Sequence, residues 1–70
     1  MGAPWNAYTV KALRWHLGLT QQGMADHLGT RQQTISEWER GLYAPRGVSK
    51  TLLGLVAERS NFTYLTDSDN

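Results

Sequence analysis

Between Gly29 and Gly41 the chain reads Thr-Arg-Gln-Gln-Thr-Ile-Ser-Glu-Trp-Glu-Arg, a run crowded with amides, hydroxyls and carboxylates. Ile35 and Trp38 lie three apart, so at helical spacing they form one apolar stripe while Gln32, Gln33, Ser36 and Glu37 face elsewhere. A row of this kind can recognise a partner by hydrogen bonds, but it holds no nucleophile with a base beside it. Elsewhere, His16 and His27 have no third ligand at a sensible spacing; they read as surface residues, and no metal is expected. Asp26 beside His27 suggests an acid-base couple, yet adjacent helical positions point about 100° apart and no nucleophile accompanies them. Cysteine is absent, which removes thiolate catalysis, zinc-thiolate sites and disulfides. The chemistry therefore points away from an enzyme and toward binding, with no cofactor.

Side chains in such a row need helices to hold them. Val10, Leu13 and Leu17 repeat at three-to-four spacing with Lys11 and Arg14 between them, which predicts an amphipathic helix capped by Asn6 and stopped at Gly18. Thr20 precedes Gln21, Met24, Ala25 and Leu28, a second and shorter helix that Gly29 ends as a left-handed cap. The third helix opens at Thr30 or Arg31 and ends at Gly41. Leu42 to Gly47 must be a loop, because Pro45 lacks an amide proton and disfavours helical geometry in the residue before it. A fourth helix is predicted from about Val48 to Arg59, with Leu52, Leu55 and Val56 on one side and Leu53 beside them. Asn61 to Asn70 is polar apart from Phe62, Tyr64 and Leu65, which predicts a docked stub and then a frayed end. Only Phe62 to Thr66 alternates in the manner of a strand. The expected fold is all-α: one domain over residues 1–70, its core at about 6–60 and its tail at 61–70.

Two short helices joined at Gly29 match the physical requirements of a helix-turn-helix. The turn calls for glycine, since a left-handed backbone is cheapest without a Cβ. Ala25 supplies the small residue needed where the helices cross, and Ile35 and Trp38 are buried while the polar row is left for DNA. Leu19 to Gly41, LTQQGMADHLGTRQQTISEWERG, resembles the helix-turn-helix of phage Cro and repressor proteins, the XRE-type family of bacterial regulators. With KALRWHLG before it and PRGVSKTLLGLVAER after it, the likeness extends over most of the chain. Gln21, Ala25, Gly29, Thr34-Ile35-Ser36 and Trp38-Glu39-Arg40-Gly41 all fall at the family's spacing. The pattern after the loop is also similar to that of antitoxin-type autoregulators in this family.

The resemblance implies a small four- to five-helix bundle of the lambda-repressor type, with Arg31 to Arg40 as its recognition helix. It implies that Gln32 and Gln33 read base edges, with Glu37, Thr34 and Arg31 as further candidates. A glutamine amide suits this task because it accepts and donates together, pairing with adenine N6 and N7. Gln21 falls at a phosphate-clamping position, and Arg40, Arg46 and Lys50 surround the loop where the sugar-phosphate backbone would run. Trp38, Ala25 and Gly29 take structural roles. Arg14 and Glu39 match a pair that bridges the first and third helices, worth under about 1 kcal/mol if exposed. Two residues depart from the pattern. Gly23 replaces the capping-box partner of Thr20, costing roughly 1 kcal/mol of helix propensity. Arg31 replaces a small capping residue, so either Thr30 takes the cap or the helix starts differently by a residue. The family's fifth helix, often the dimer interface, is reduced here to Phe62-Thr63-Tyr64-Leu65.

Composition agrees with a small binding module. Seventy residues, 40% of them apolar, suffice for one core and leave no room for a second. The formal charge is only +1, but its distribution is uneven. Lys11, Arg14, Arg31, Arg40, Arg46 and Lys50 outnumber Asp26, Glu37 and Glu39 in the front of the chain, and Glu58, Asp67 and Asp69 outnumber Arg59 behind. No stretch approaches the roughly 20 apolar residues of a membrane span, and Met-Gly-Ala-Pro lacks the pattern of a secretory signal. A cytoplasmic, nucleoid-associated protein is expected. Its partner would be double-stranded DNA, with a short inverted repeat if it forms a homodimer. Trp15 and Trp5 are expected to cover the bundle's edge, with an exposed Trp5 or Tyr8 as the alternative dimer contact. The competing function is an antitoxin-type or adaptor module that holds a protein partner such as a toxin, with DNA binding secondary.

Overall fold

The computed structural model describes residues 5–62, in which four helices follow one another: α1 (Ala7–Leu17), α2 (Gln21–Leu28), α3 (Gln32–Glu39) and α4 (Val48–Arg59). The Tyr64 and Leu65 end of the expected stub, the strand-like alternation past Phe62 and the acidic tail all lie outside the described residues.

Local chemistry sets the boundaries. Asn6 caps α1 by accepting from the Thr9 amide, and the Thr9 hydroxyl accepts in return from the Asn6 amide, closing a capping box. Gly18 (φ 70°) and Gly29 (φ 74°) end α1 and α2 in the left-handed conformation, as expected. Thr20 caps α2 through the Gly23 amide at 3.0 Å, and with no side chain at Gly23 the box has only its forward half. At α3 the cap is Arg31, in extended geometry and with no side-chain bond; Thr30 does not take the role. The third helix therefore begins at Gln32 with Arg31 as its cap, the later of the two openings that the sequence left, and ends at Glu39, two residues before Gly41.

The core gathers Trp5, Val10, Leu13, Met24, Ala25, Ile35, Trp38, Leu53 and Ala57, with Leu17, Leu19, Leu28, Val56 and Phe62 packed against it. Full burial of side chains such as Leu13, Met24, Ile35 and Leu53 is worth about 1.5–3 kcal/mol each, which is what fixes α3 against α1 and α2. Two expectations need correcting. On α4 the inward residues are Leu53 and Ala57, four apart, whereas Leu55 stays 46% exposed. Leu52 and Leu55, with Val56 where it meets the core, line an open groove of about 330 Å³ together with Leu17, His27, Arg59 and Ser60. The two edge tryptophans also part company: Trp5 is buried, so it offers no exposed contact, while Trp15 stands 67% exposed with Lys11 Nζ 6.0 Å from its ring. Tyr8 is exposed as well.

Candidate nucleic-acid interface

Helix α3 is anchored by its apolar stripe: Ile35 and Trp38 are buried, and so is Glu39. Arg31, Gln32 and Gln33 at its start are exposed, and Thr34, Ser36 and Glu37 are half-buried. Gln33 Nε2 donates to Glu37 Oε2 at 3.1 Å, one turn along, so these two present a joined polar edge. Because the Arg31 side chain makes no capping bond, the backbone amides of Gln32 and Gln33 have no partner among the described residues. Free amides at a helix start carry partial positive charge and favour an anion.

The third helix is tied to the other two through Glu39. Arg14 grips its carboxylate with both Nε (2.6 Å to Oε2) and Nη2 (2.9 Å to Oε1). The Arg14 Nη1 donates to the Leu19 carbonyl at 3.1 Å, which fixes the turn between α1 and α2. Gln21 Nε2 donates to Glu39 Oε1 at 3.2 Å, and Gln32 Nε2 donates to Gln21 Oε1 at 2.6 Å. The Glu39 side chain is only 3% exposed and that of Arg14 14%, so the condition for a weak surface bridge is not met: a half-buried guanidinium holds a buried carboxylate by two bonds. Burial pushes the Glu39 carboxyl up, but hydrogen bonds from Arg14 and Gln21 and the charges of Arg14 and Lys11 outweigh it and hold it below its ordinary value. The hydrogen bond to Glu39 raises Arg14 against the opposing effect of burial, and the Glu39 charge adds to the rise.

Arg40, Arg46 and Lys50 are all exposed and unpaired among the described residues, around a loop anchored by buried Pro45. Leu42 and Tyr43 on the same loop are exposed large side chains that the sequence reading did not single out. The buried Ala25 and left-handed Gly29 sit where the turn from α2 to α3 requires them. His16 is exposed, yet its Nε2 donates to the Ser60 carbonyl at 2.7 Å and its ring lies 5.3 Å from Phe62. That tie between α1 and the end of α4 has no sequence signal, because 44 residues separate its partners. Asp26 accepts from Gln22 at 3.0 Å on its own helix. No group of metal-ligating side chains occurs among the described residues, and no helix there is long and apolar enough to cross a membrane.

No curated protein and no solved structure matches the chain. A family profile described as helix-turn-helix does match, over residues 10–58, which takes in most of α1 and nearly all of α4 with the α2, Gly29 and α3 unit between them. With more than half its length in that match, and with its two short helices meeting at a left-handed glycine, the chain belongs to the XRE family of all-α, lambda-repressor-like helix-turn-helix DNA-binding domains.

Proposed function

We propose that this protein is a sequence-specific, double-stranded DNA-binding transcriptional regulator that lays α3 in the major groove. The observation that carries the reading is the exposure of Gln32 and Gln33 at the start of a helix whose opposite face is locked in the core. Their amides read base edges, adenine above all, with Thr34, Glu37 and Arg31 beside them. Gln21 keeps one Nε2 hydrogen beyond its bond to Glu39, and with Arg40, Arg46 and Lys50 it holds the phosphates. One module with so few phosphate contacts binds weakly, so two copies on half-sites about 34 Å apart would supply the affinity of a regulator.

The test compares Gln32→Ala, Gln33→Ala, Arg46→Ala and Lys50→Ala on a selected duplex and on random DNA. The glutamine variants should lose discrimination by about 1–3 kcal/mol at particular base pairs. The two cation variants should weaken all duplexes alike and lower the salt slope by about 1 each. Identical behaviour of all four on both DNAs would remove the assignment of readers. Affinity for DNA that ignores salt would point instead to a protein-interaction module.

A further inference from the structure

Glutamine can present its amide in either of two orders, and a base edge distinguishes them. We infer that Glu39, buried and out of reach of any duplex, is a positioning residue that sets the donor and acceptor order of Gln32, acting through Gln21. The inference rests on the reading of α3 as the base-reading helix.

The polarity follows from chemistry at each step. An ionised carboxylate only accepts, and both its oxygens are already held by Arg14 at 2.6 and 2.9 Å. Whatever else approaches Glu39 Oε1 must be a donor, so Gln21 turns Nε2 toward it, at 3.2 Å. The Gln21 amide is planar and has one other end, so its Oε1 points away. That oxygen accepts only, and Gln32 meets it with Nε2 at 2.6 Å. One Gln32 hydrogen is thereby spent, while its other Nε2 hydrogen and its Oε1 remain for a base. With Gln21 reversed, its amide oxygen would face a carboxylate oxygen in a buried site, an unpaired contact that the low local dielectric makes costly. Only one polarity satisfies every atom in the chain from Arg14 to Gln32. Gln33 is ordered separately, by Glu37 on its own helix, and serves as an internal control.

The decisive variant is the double substitution R14M/E39M, which replaces the pair by apolar side chains of similar length, a change that buried pairs often tolerate. Affinities are measured for a selected duplex and for every single-base change in it, using wild type, Gln32→Ala, Gln33→Ala and R14M/E39M, with thermal melts to show that each is folded. Gln32→Ala identifies the base pair that Gln32 governs. There, R14M/E39M should reduce a discrimination of about tenfold to about twofold, while leaving the position governed by Gln33 unchanged. If R14M/E39M does not fold, Gln21→Met, on a half-buried position at the start of α2, must show the same local flattening on top of the uniform loss that follows from removing its phosphate contact. Full discrimination retained at the Gln32 position by the folded variant, whether or not all affinities fall by a common factor, overturns the relay. Should Gln32→Ala itself leave every base preference intact, the base-reading assignment fails and takes the relay with it. If Gln32→Ala flattens one position and the folded relay variant does not, only the relay falls.

Discussion

A carboxylate as buried as that of Glu39 costs several kcal/mol in desolvation, and what offsets it is the bidentate Arg14 together with the Gln21 amide. Removing one partner is then far worse than removing both. Arg14→Met leaves an uncompensated buried charge and should cost about 3–5 kcal/mol, most of the stability a domain of this size has. R14M/E39M should melt close to wild type in urea, and a loss in the double variant equal to that of Arg14→Met would show that the stranded Glu39 charge is not what destabilises the single variant. The same pair gives a pH dependence. Because Glu39 titrates below its ordinary value when folded, its stabilisation is complete above about pH 4.3, the unfolded value, and is lost as pH falls through the folded one. Arg14 is shifted up, so its share disappears only as pH rises through its raised value, beyond any working range. The acid limb of the wild-type stability curve should accordingly be steeper than that of R14M/E39M.

At the scale of elements, α4 separates what its sequence says from what packing decides. Leu52, Leu53, Leu55 and Val56 spread over an arc much wider than one buried stripe, so their periodicity offers several inward faces. The choice falls on Leu53 because Ala57, one turn on, is small enough to let α4 approach the core. Leu53→Ala should therefore cost about 2–5 kcal/mol and Leu55→Ala under about 0.5, measured by urea melts. The reverse order would put the wrong face of α4 in the core. Helix ends were legible because their signals are local: Asn6, Thr20, Gly18 and Gly29 act within three or four residues of themselves. The polar face of α3 was legible for the same reason. The burial of Glu39, the bond from Gln32 to Gln21 and the tie from His16 to Ser60 were not, since each depends on how two helices cross and joins residues 11 to 44 positions apart.

On the scale of the whole molecule, a formal charge of +1 argues weakly for a polyanionic partner, and placement matters more than the sum. Of the basic residues on and around α3, Arg31, Arg40, Arg46 and Lys50 are exposed and unpaired among the described residues, whereas Arg14 is committed to Glu39. The most direct test of DNA reading by α3 is selection from a pool of random duplexes, repeated with Gln32→Ala and Gln33→Ala. Wild type should enrich one short sequence class, and its affinity should fall linearly with salt on logarithmic axes. Each glutamine variant should enrich a class degenerate at its own base pair. Enrichment of no sequence by wild type, or of the same sequence by all three proteins, would contradict the assignment of α3 as the reading helix.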